Sequence, residues 1–278
     1  MTKTKIGLIQ MRVGADRKKN LARALEMIGE AARKGADIVC LPELFGSRYF
    51  PQHRGAQKIA EPIPGPTTDA LSLAAKQNKV VIVGGSIYER SQGKFYNTSV
   101  VFDQNGRILG KYRKVHIPFD SHYYEKDYFS SGKGYKAFNT KFGKLSVLIC
   151  FDQWYPEPAR ISRLMHAEML FYPTAIGTVK GMRQAEGDWQ EAWENVQRGH
   201  AISNSMVICT VNRVGIEEEL NFWGGSFVID QFGKTLFRAG NKEGVFVVAC
   251  DLSLGRNVER GWGFIRNRKA DTYGGISH

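Results

Sequence analysis

The chain has 278 residues, 42% apolar and 24% charged, which fits one large domain able to bury a full core in water. No apolar run approaches the length that crosses a bilayer, so no membrane partner is expected. The N-terminal MTKTKIGLIQMRVG lacks the long apolar core and small-residue cleavage site of a signal peptide. The formal charge of +12 raises nucleic acid as a partner, but Lys and Arg are interspersed with Asp and Glu and form no basic block; the expectation is a solvated basic surface and no nucleic acid.

In chain order, KIGLIQM (5–11) reads as a buried strand and NLARALEMIGEAARKG (20–35) as an amphipathic helix stopped by Gly35. ADIVCLPE (36–43) returns as a strand. TTDALSLAAKQNK (67–79) is a helix with a threonine cap, and VVIVGGSIYE (80–89) is the strand after it. FYNTSVVFD and RILGKYRK flank DQNGR, a hairpin turn. Residues 114–135 form a long polar and aromatic loop. KLSVLIC (144–150) is a strand, followed by a helix from about Pro156 to His166 and the strand EMLFYP. A second long helix, EGDWQEAWENVQRGHAISN, leads into SMVICTVNRVG. GGSFVIDQFGKTLFRA is a second hairpin, and EGVFVVACDL is the last strand before a basic tail. Interleaved strands and helices with hairpins among them predict mixed sheets, with helices outside two sheets. No linker or low-complexity segment divides residues 1–278, so one domain is expected.

Four cysteines spread along the chain with no CxxC pair argue against a zinc ribbon or a disulfide framework, and their apolar flanks suit reduced thiols in the cytoplasm. QFGKT (231–235) lacks the earlier glycine of a phosphate loop, having Val228 there, and VGGS (83–86) lacks the GxGxxG spacing. The six histidines, His116, His122 and His200 among them, show no metal-ligand spacing, and no GxSxG elbow exists. No metal and no cofactor are expected. A cysteine–histidine dyad stays open, since its members need not be close in sequence.

Three loops share one feature, a reactive side chain just past a strand: CLPELF with Glu43, KYRKVHIP with Lys114 and LICFDQWYPE with Cys150. Taken singly, Glu43 and Lys114 would be solvated charges and Cys150 a buried thiol. Cys150 differs from Cys40, Cys209 and Cys250 in standing where a strand meets the start of a helix, where free backbone N–H groups would lower its pKa. Together the three side chains make a workable site. Glu43 would be the base for the thiol, and Lys114 with the backbone N–H of Phe151 would hold an oxyanion.

LPELF, YRKVHIP and CFDQWYPE resemble the three signature segments of the nitrilase superfamily of carbon–nitrogen hydrolases, in that family's order and spacing and over essentially the whole chain. The resemblance implies a four-layer αββα sandwich, no cofactor and a Glu–Lys–Cys triad on Glu43, Lys114 and Cys150. It also implies a second glutamate that orients substrate and lysine, matched by Glu125 in HYYEKDYFSSG. An assembly of at least two copies is implied as well, and the apolar residues of the tail from about residue 254 to 278 suit packing on a partner subunit.

Within the superfamily, ICFDQWYPEPAR and YYEKDYF look most like the branch that hydrolyses N-carbamoylputrescine, and QRGHAISN is an imperfect match to the family's QGHAxAN helix. A substrate carboxylate would call for an arginine near the thiol. Phe151, Asp152, Gln153 and Trp154 stand there instead, and suit a cationic or neutral amine. Candidate substrate contacts are Tyr49, Tyr124, Asp152 and Trp154; Asp152 could equally cap the next helix. Activity as an ω-amidase, a β-ureidopropionase-like enzyme or a nitrilase is the alternative within this chemistry, and an idle oligomeric binding module the alternative outside it.

Overall fold

A computed structural model describes residues 3–55, 59–183 and 185–277. Its first sheet has seven strands, in the order Gly244–Cys250, Thr4–Gln10, Ile38–Cys40, Val81–Val83, Lys94–Phe102 and Ile87–Ser91, with Ile108–Arg113 also paired to Lys94–Phe102. A second sheet runs Thr235–Arg238, Phe227–Ile229, Val207–Asn212, Met169–Thr174, Gly143–Val147 and Ala137–Thr140. Both mix parallel and antiparallel pairs. Their central strands are apolar on both faces because neither face meets water.

Packing between the sheets is one core, joining Ile6, Leu8, Val81 and Val101 of the first to Leu145, Val147, Phe171 and Val207 of the second. Cys40, Cys209 and Cys250 lie in this layer, fully buried. The outer face of the first sheet is covered by α1 (Arg17–Arg33) and α2 (Pro66–Asn78) through Met27, Ile28, Leu71 and Ala75. That of the second is covered by α3 (Pro156–Leu164) and α4 (Trp189–Asn204) through Ala159, Trp193 and Ala201. The result is the four-layer αββα sandwich that the resemblance implied.

Local chemistry sets the element ends. Asp16 caps α1 by accepting the Lys18 and Lys19 N–H groups, and Asp188 caps α4 in the same way. At α2 the cap differs from the threonine expected: Gly65 is the N-cap, and Thr68 Oγ1 accepts its N–H at 2.7 Å. VVIVGGSIYE is two strands, not one. It breaks at Gly85, where φ is +56° and a Cβ would sit 2.2 Å from the Pro42 carbonyl, so the loop carrying Glu43 closes against a residue that must be glycine. Two further features were missed by sequence periodicity. Gly177–Val179, Val214–Glu217 and Leu220–Trp223 form a small third sheet, and the tail contains α5 (Ser253–Gly261).

Strands Ile38–Cys40, Gly143–Val147, Met169–Thr174 and Val207–Asn212 each run parallel to a neighbour. Their carboxyl ends release Glu43, Cys150, Ala175 and Arg213 at one edge of the sandwich, the edge where α/β sheets place their ligands.

Candidate active site

Glu43 sits in a turn whose next residue, Leu44, has φ +48°, a left-handed conformation disfavoured for leucine. Ser86 Oγ accepts the Leu44 N–H at 2.9 Å, and the Thr174 carbonyl accepts that of Glu43 at 3.4 Å. The Glu43 side chain is wholly buried. Its Oε1 accepts from Asn97 Nδ2 (2.7 Å) and Lys114 Nζ (2.9 Å), while Oε2 has no partner among the described residues. A buried carboxylate oxygen left open is costly in a merely structural role and useful to a base.

Lys114 follows strand Ile108–Arg113 and is also wholly buried. Besides Glu43, its ammonium donates to Glu125 Oε1 (2.9 Å) and Oε2 (2.8 Å). Burial alone would lower its pKa, but the charges of Glu125 and Glu43 outweigh burial and raise it, so the lysine stays a cation. Glu125 pairs with that same lysine and accepts from the Tyr49 hydroxyl at 2.6 Å. Burial pushes its carboxyl up to about 7; Lys114 pulls the other way and Glu43 adds to the rise. Two carboxylates thus share one cation in a dry site.

Cys150 opens a short 3-10 helix, Cys150–Trp154, with φ +42°. A non-glycine residue held in this conformation at a strand-to-helix turn is a candidate functional position. Its Sγ lies 3.8 Å from the Ala175 carbonyl. The expected lowering of the thiol pKa is not found. Burial raises it well above the ordinary value, and the Glu43 and Glu125 charges add to the rise while Lys114 opposes them. The resting group is a thiol, and an adjacent base has to remove its proton.

Of the two roles open to Asp152, its hydrogen bonds are those of the structural one. Its Oδ1 accepts from His116 N–H (3.0 Å) and Nδ1 (2.8 Å), and its Oδ2 from Tyr112 Oη (2.7 Å) and Ile149 N–H (2.9 Å). It caps its own 3-10 helix rather than the next one, and anchors the Cys150 turn to the strand that leads to Lys114.

Phe151 stands in the first turn of that helix, where backbone N–H groups lack intrahelical acceptors. Trp154 is half-buried beside the same apolar cluster as Cys150. The Tyr124 ring lies under Arg54 (5.3 Å to the centroid) and edge-on to Phe119 (6.0 Å), outside the ion cluster. Tyr49 is fully buried, with its ring near Tyr123 and Phe222.

Several residues drawn into the site carried no sequence signal. They are Asn97 on Glu43, the Ala175 carbonyl by the thiol, and Tyr123, whose hydroxyl is raised by burial and then by the Cys150 charge. Behind the Cys150 helix, Gln153 Oε1 accepts from Trp193 Nε1 (2.7 Å) and Gln197 Nε2 (3.2 Å), and Thr210 donates to Gln197. This locks the helix to α4, the QRGHAISN segment. No group of three or more His, Cys, Asp or Glu side chains able to hold a metal is found among the described residues.

Comparison with known proteins bears on this geometry. The profile of the carbon–nitrogen hydrolase family matches residues 5–260. The N-carbamoylputrescine amidase of Solanum lycopersicum is 38% identical over 96% of this chain and 93% of its own length. The omega-amidase NIT2 of Xenopus tropicalis is 33% identical over 98% of each. A carbon–nitrogen hydrolase from Helicobacter pylori, solved by crystallography, superposes with a TM-score of 0.95 at 36% identity over 99% of both chains.

Proposed function

The chain belongs to the carbon–nitrogen hydrolase family, and on that premise we propose that it cleaves the C–N bond of a small N-carbamoyl amine of the N-carbamoylputrescine type. The observation that carries the proposal is the buried ion cluster acting on one thiol. Glu43 keeps an unpartnered oxygen, Lys114 is held protonated, and both charges act on Cys150.

In the proposed cycle Cys150 Sγ attacks the carbamoyl carbon as its proton passes to Glu43. The Lys114 ammonium and the Phe151 N–H take the charge that develops on the carbonyl oxygen. Glu43 returns the proton to the departing amine nitrogen, leaving a carbamoyl group on sulfur. A water deprotonated by Glu43 then cleaves that thioester, restoring the thiol and releasing carbamate, which breaks down to carbon dioxide and ammonia. Because burial raises the thiol pKa, proton removal and attack are coupled. Glu125 also holds Lys114, and Oε2 of Glu43 is left for the proton traffic.

The amine tail is supported by the state of an arginine. An N-carbamoyl amino acid or an ω-amide presents a carboxylate and needs a guanidinium. Arg213, which packs near Tyr49 and Phe222, commits both terminal nitrogens to Glu217 and to backbone carbonyls. Asp152, committed likewise, no longer argues for a cationic tail, so the tyrosines are left as its contacts, Tyr49 and Tyr123 foremost.

The test is ammonia release from N-carbamoylputrescine, N-carbamoyl-β-alanine, an ω-amide and an aliphatic nitrile, with wild type and Cys150→Ala. Turnover of the carbamoylated amine alone, lost in the variant, is the expected outcome. Preference for a carboxylate-bearing substrate would keep the thiol chemistry and overturn the amine tail. We also propose that residues from about 254 onward dock a second copy, on the strength of exposed Trp262, Tyr273 and Ile276. Sedimentation of the full chain and of one ending at 253 tests it. Four free cysteines fit a reducing, cytoplasmic setting.

A further inference from the structure

The cycle just proposed makes no use of Arg213, yet this wholly buried cation bonds the turn that carries Glu43. Both terminal nitrogens of its guanidinium are bonded, while Nε has no partner among the described residues. Nη2 donates to the carbonyls of Glu43 (2.7 Å) and Leu44 (2.8 Å). Nη1 donates to both oxygens of Glu217 (2.8 and 2.9 Å), and both nitrogens reach the Ser47 carbonyl at 3.4 Å. Glu217 in turn accepts the Tyr49 N–H at 2.7 Å.

These contacts converge on one strained turn. A leucine in the left-handed region is strained and persists only where its surroundings over-determine it. Leu44 is such a residue, with φ +48°. Ser86 holds its N–H, and Arg213 holds its own carbonyl and the preceding one, that of Glu43. The same guanidinium reaches the far end of the turn through Glu217 and Tyr49, and the Tyr49 hydroxyl donates to Glu125. Both carboxylates that share Lys114 are therefore aimed from one clamp.

We infer that Arg213 is a positioning residue. It fixes the turn that carries Glu43, and so the direction of the unpartnered Oε2 that serves the Cys150 thiol. The inference deepens the reading of Glu43 as the base and rests on it. Lysine cannot replace arginine here, because its three donors radiate from one atom and do not span carbonyls and a carboxylate on opposite sides.

Alkylation of native Cys150 by iodoacetamide tests this without a substrate. Sulfur forms the S–C bond, iodide leaves and the thiol proton goes to Glu43. Glu43→Gln is expected to slow alkylation about 100-fold. Arg213→Lys is expected to slow it about tenfold, since small misplacements of a reacting group carry such losses. In the Glu43→Gln background, Arg213→Lys should change the rate by less than about twofold, because the clamp acts through a base no longer present. Equal slowing in both backgrounds, or none in either, overturns the inference. Wild-type alkylation by Glu43→Gln overturns the base reading, and the inference with it. Glu217→Gln, which keeps an acceptor for Tyr49 but weakens the fork, runs through the same cycle should Arg213→Lys not fold.

Discussion

Two buried carboxylate clusters lie on opposite faces of one stretch of chain, KYRK at 111–114. Lys111 and Arg113 point to one side and meet Glu89 (2.5 and 2.8 Å), which also accepts from Thr98 at 2.6 Å. Tyr112 and Lys114 point to the other, where Tyr112 meets Asp152 and Lys114 meets Glu43 and Glu125. The alternation is the two-residue period of a strand, carried one residue past its end. Glu89 has two cations to itself. Burial would raise its pKa, but its bonds to Arg113 and Lys111 overcome this and hold it down at about 2. On the other face two carboxylates share one cation in a dry site, and Glu125 rises to about 7. The ratio of cations to carboxylates separates a carboxylate fixed in its ionised form from one that titrates near neutral pH.

The sharpest way to break this comparison is to remove a cation from each side. Lys114→Met should lower kcat/KM for ammonia release by about 1,000-fold or more, since it takes away the charge proposed above to meet the oxyanion. Lys111→Met should change it by less than about twofold. Similar losses from both would mean that the faces do not differ in function.

Glu89→Gln moves the test to stability. It leaves two cations without their carboxylate, each about 30% exposed, so urea unfolding should show a loss of about 2 kcal/mol with activity retained. The pH dependence has opposite signs on the two faces. Glu89 binds its proton more weakly when folded, so its contribution is complete above 4.5 and fades as pH falls toward about 2. Glu125 binds its proton more tightly when folded, so stability declines as pH rises from 4.5 toward about 7. Glu89→Gln should remove the first trend alone, and Glu125→Gln the second.

Tyr49→Phe is a smaller change, the loss of one hydroxyl donor. The bond from Tyr49 lowers the Glu125 pKa, so its removal should move the ionisation near 7 upward. Turnover should fall about tenfold, as expected for one charge-assisted bond. An unchanged pH profile would detach Tyr49 from the cluster.

The KYRK comparison also shows what sequence could and could not reveal. Alternation, turn chemistry and three motifs located the sandwich and brought Glu43, Lys114 and Cys150 together, because each stands just past a strand whose pattern is local. Asp152 stayed ambiguous, since a carboxylate two residues from a thiol can face substrate or backbone, and only the positions of Tyr112 and His116 decide. Asn97 and Arg213 were invisible. They reach Glu43 from 54 and 170 residues away, and nothing near them in the chain records the contact. The strand expected over 80–89 failed for the same reason, because its break at Gly85 answers the close approach of Pro42. The raised thiol pKa was missed because burial, not helix position, dominates it.

The cysteines carry the comparison to its smallest expected effect. Cys40 and Cys250 close apolar strands, Cys209 lies inside one and Cys150 stands just past one, and burial raises all four pKa values. What separates them is access and company. The three are fully buried between the sheets among Val81, Val101, Leu145 and Phe171, whereas Cys150 keeps 7% exposure and has Glu43 and Lys114 acting on it. A raised pKa without a base makes an inert thiol, and with a base a nucleophile waiting for its substrate. Native protein treated with iodoacetamide should therefore gain one adduct, on Cys150, and the unfolded chain four. Cys209→Ala should cost about 1–2 kcal/mol of stability for the sulfur it removes from the core, with turnover unchanged within about twofold. A second adduct forming in native protein at the rate of the first would mean that the inter-sheet core opens on the timescale of the chemistry, and access could no longer be what tells these thiols apart.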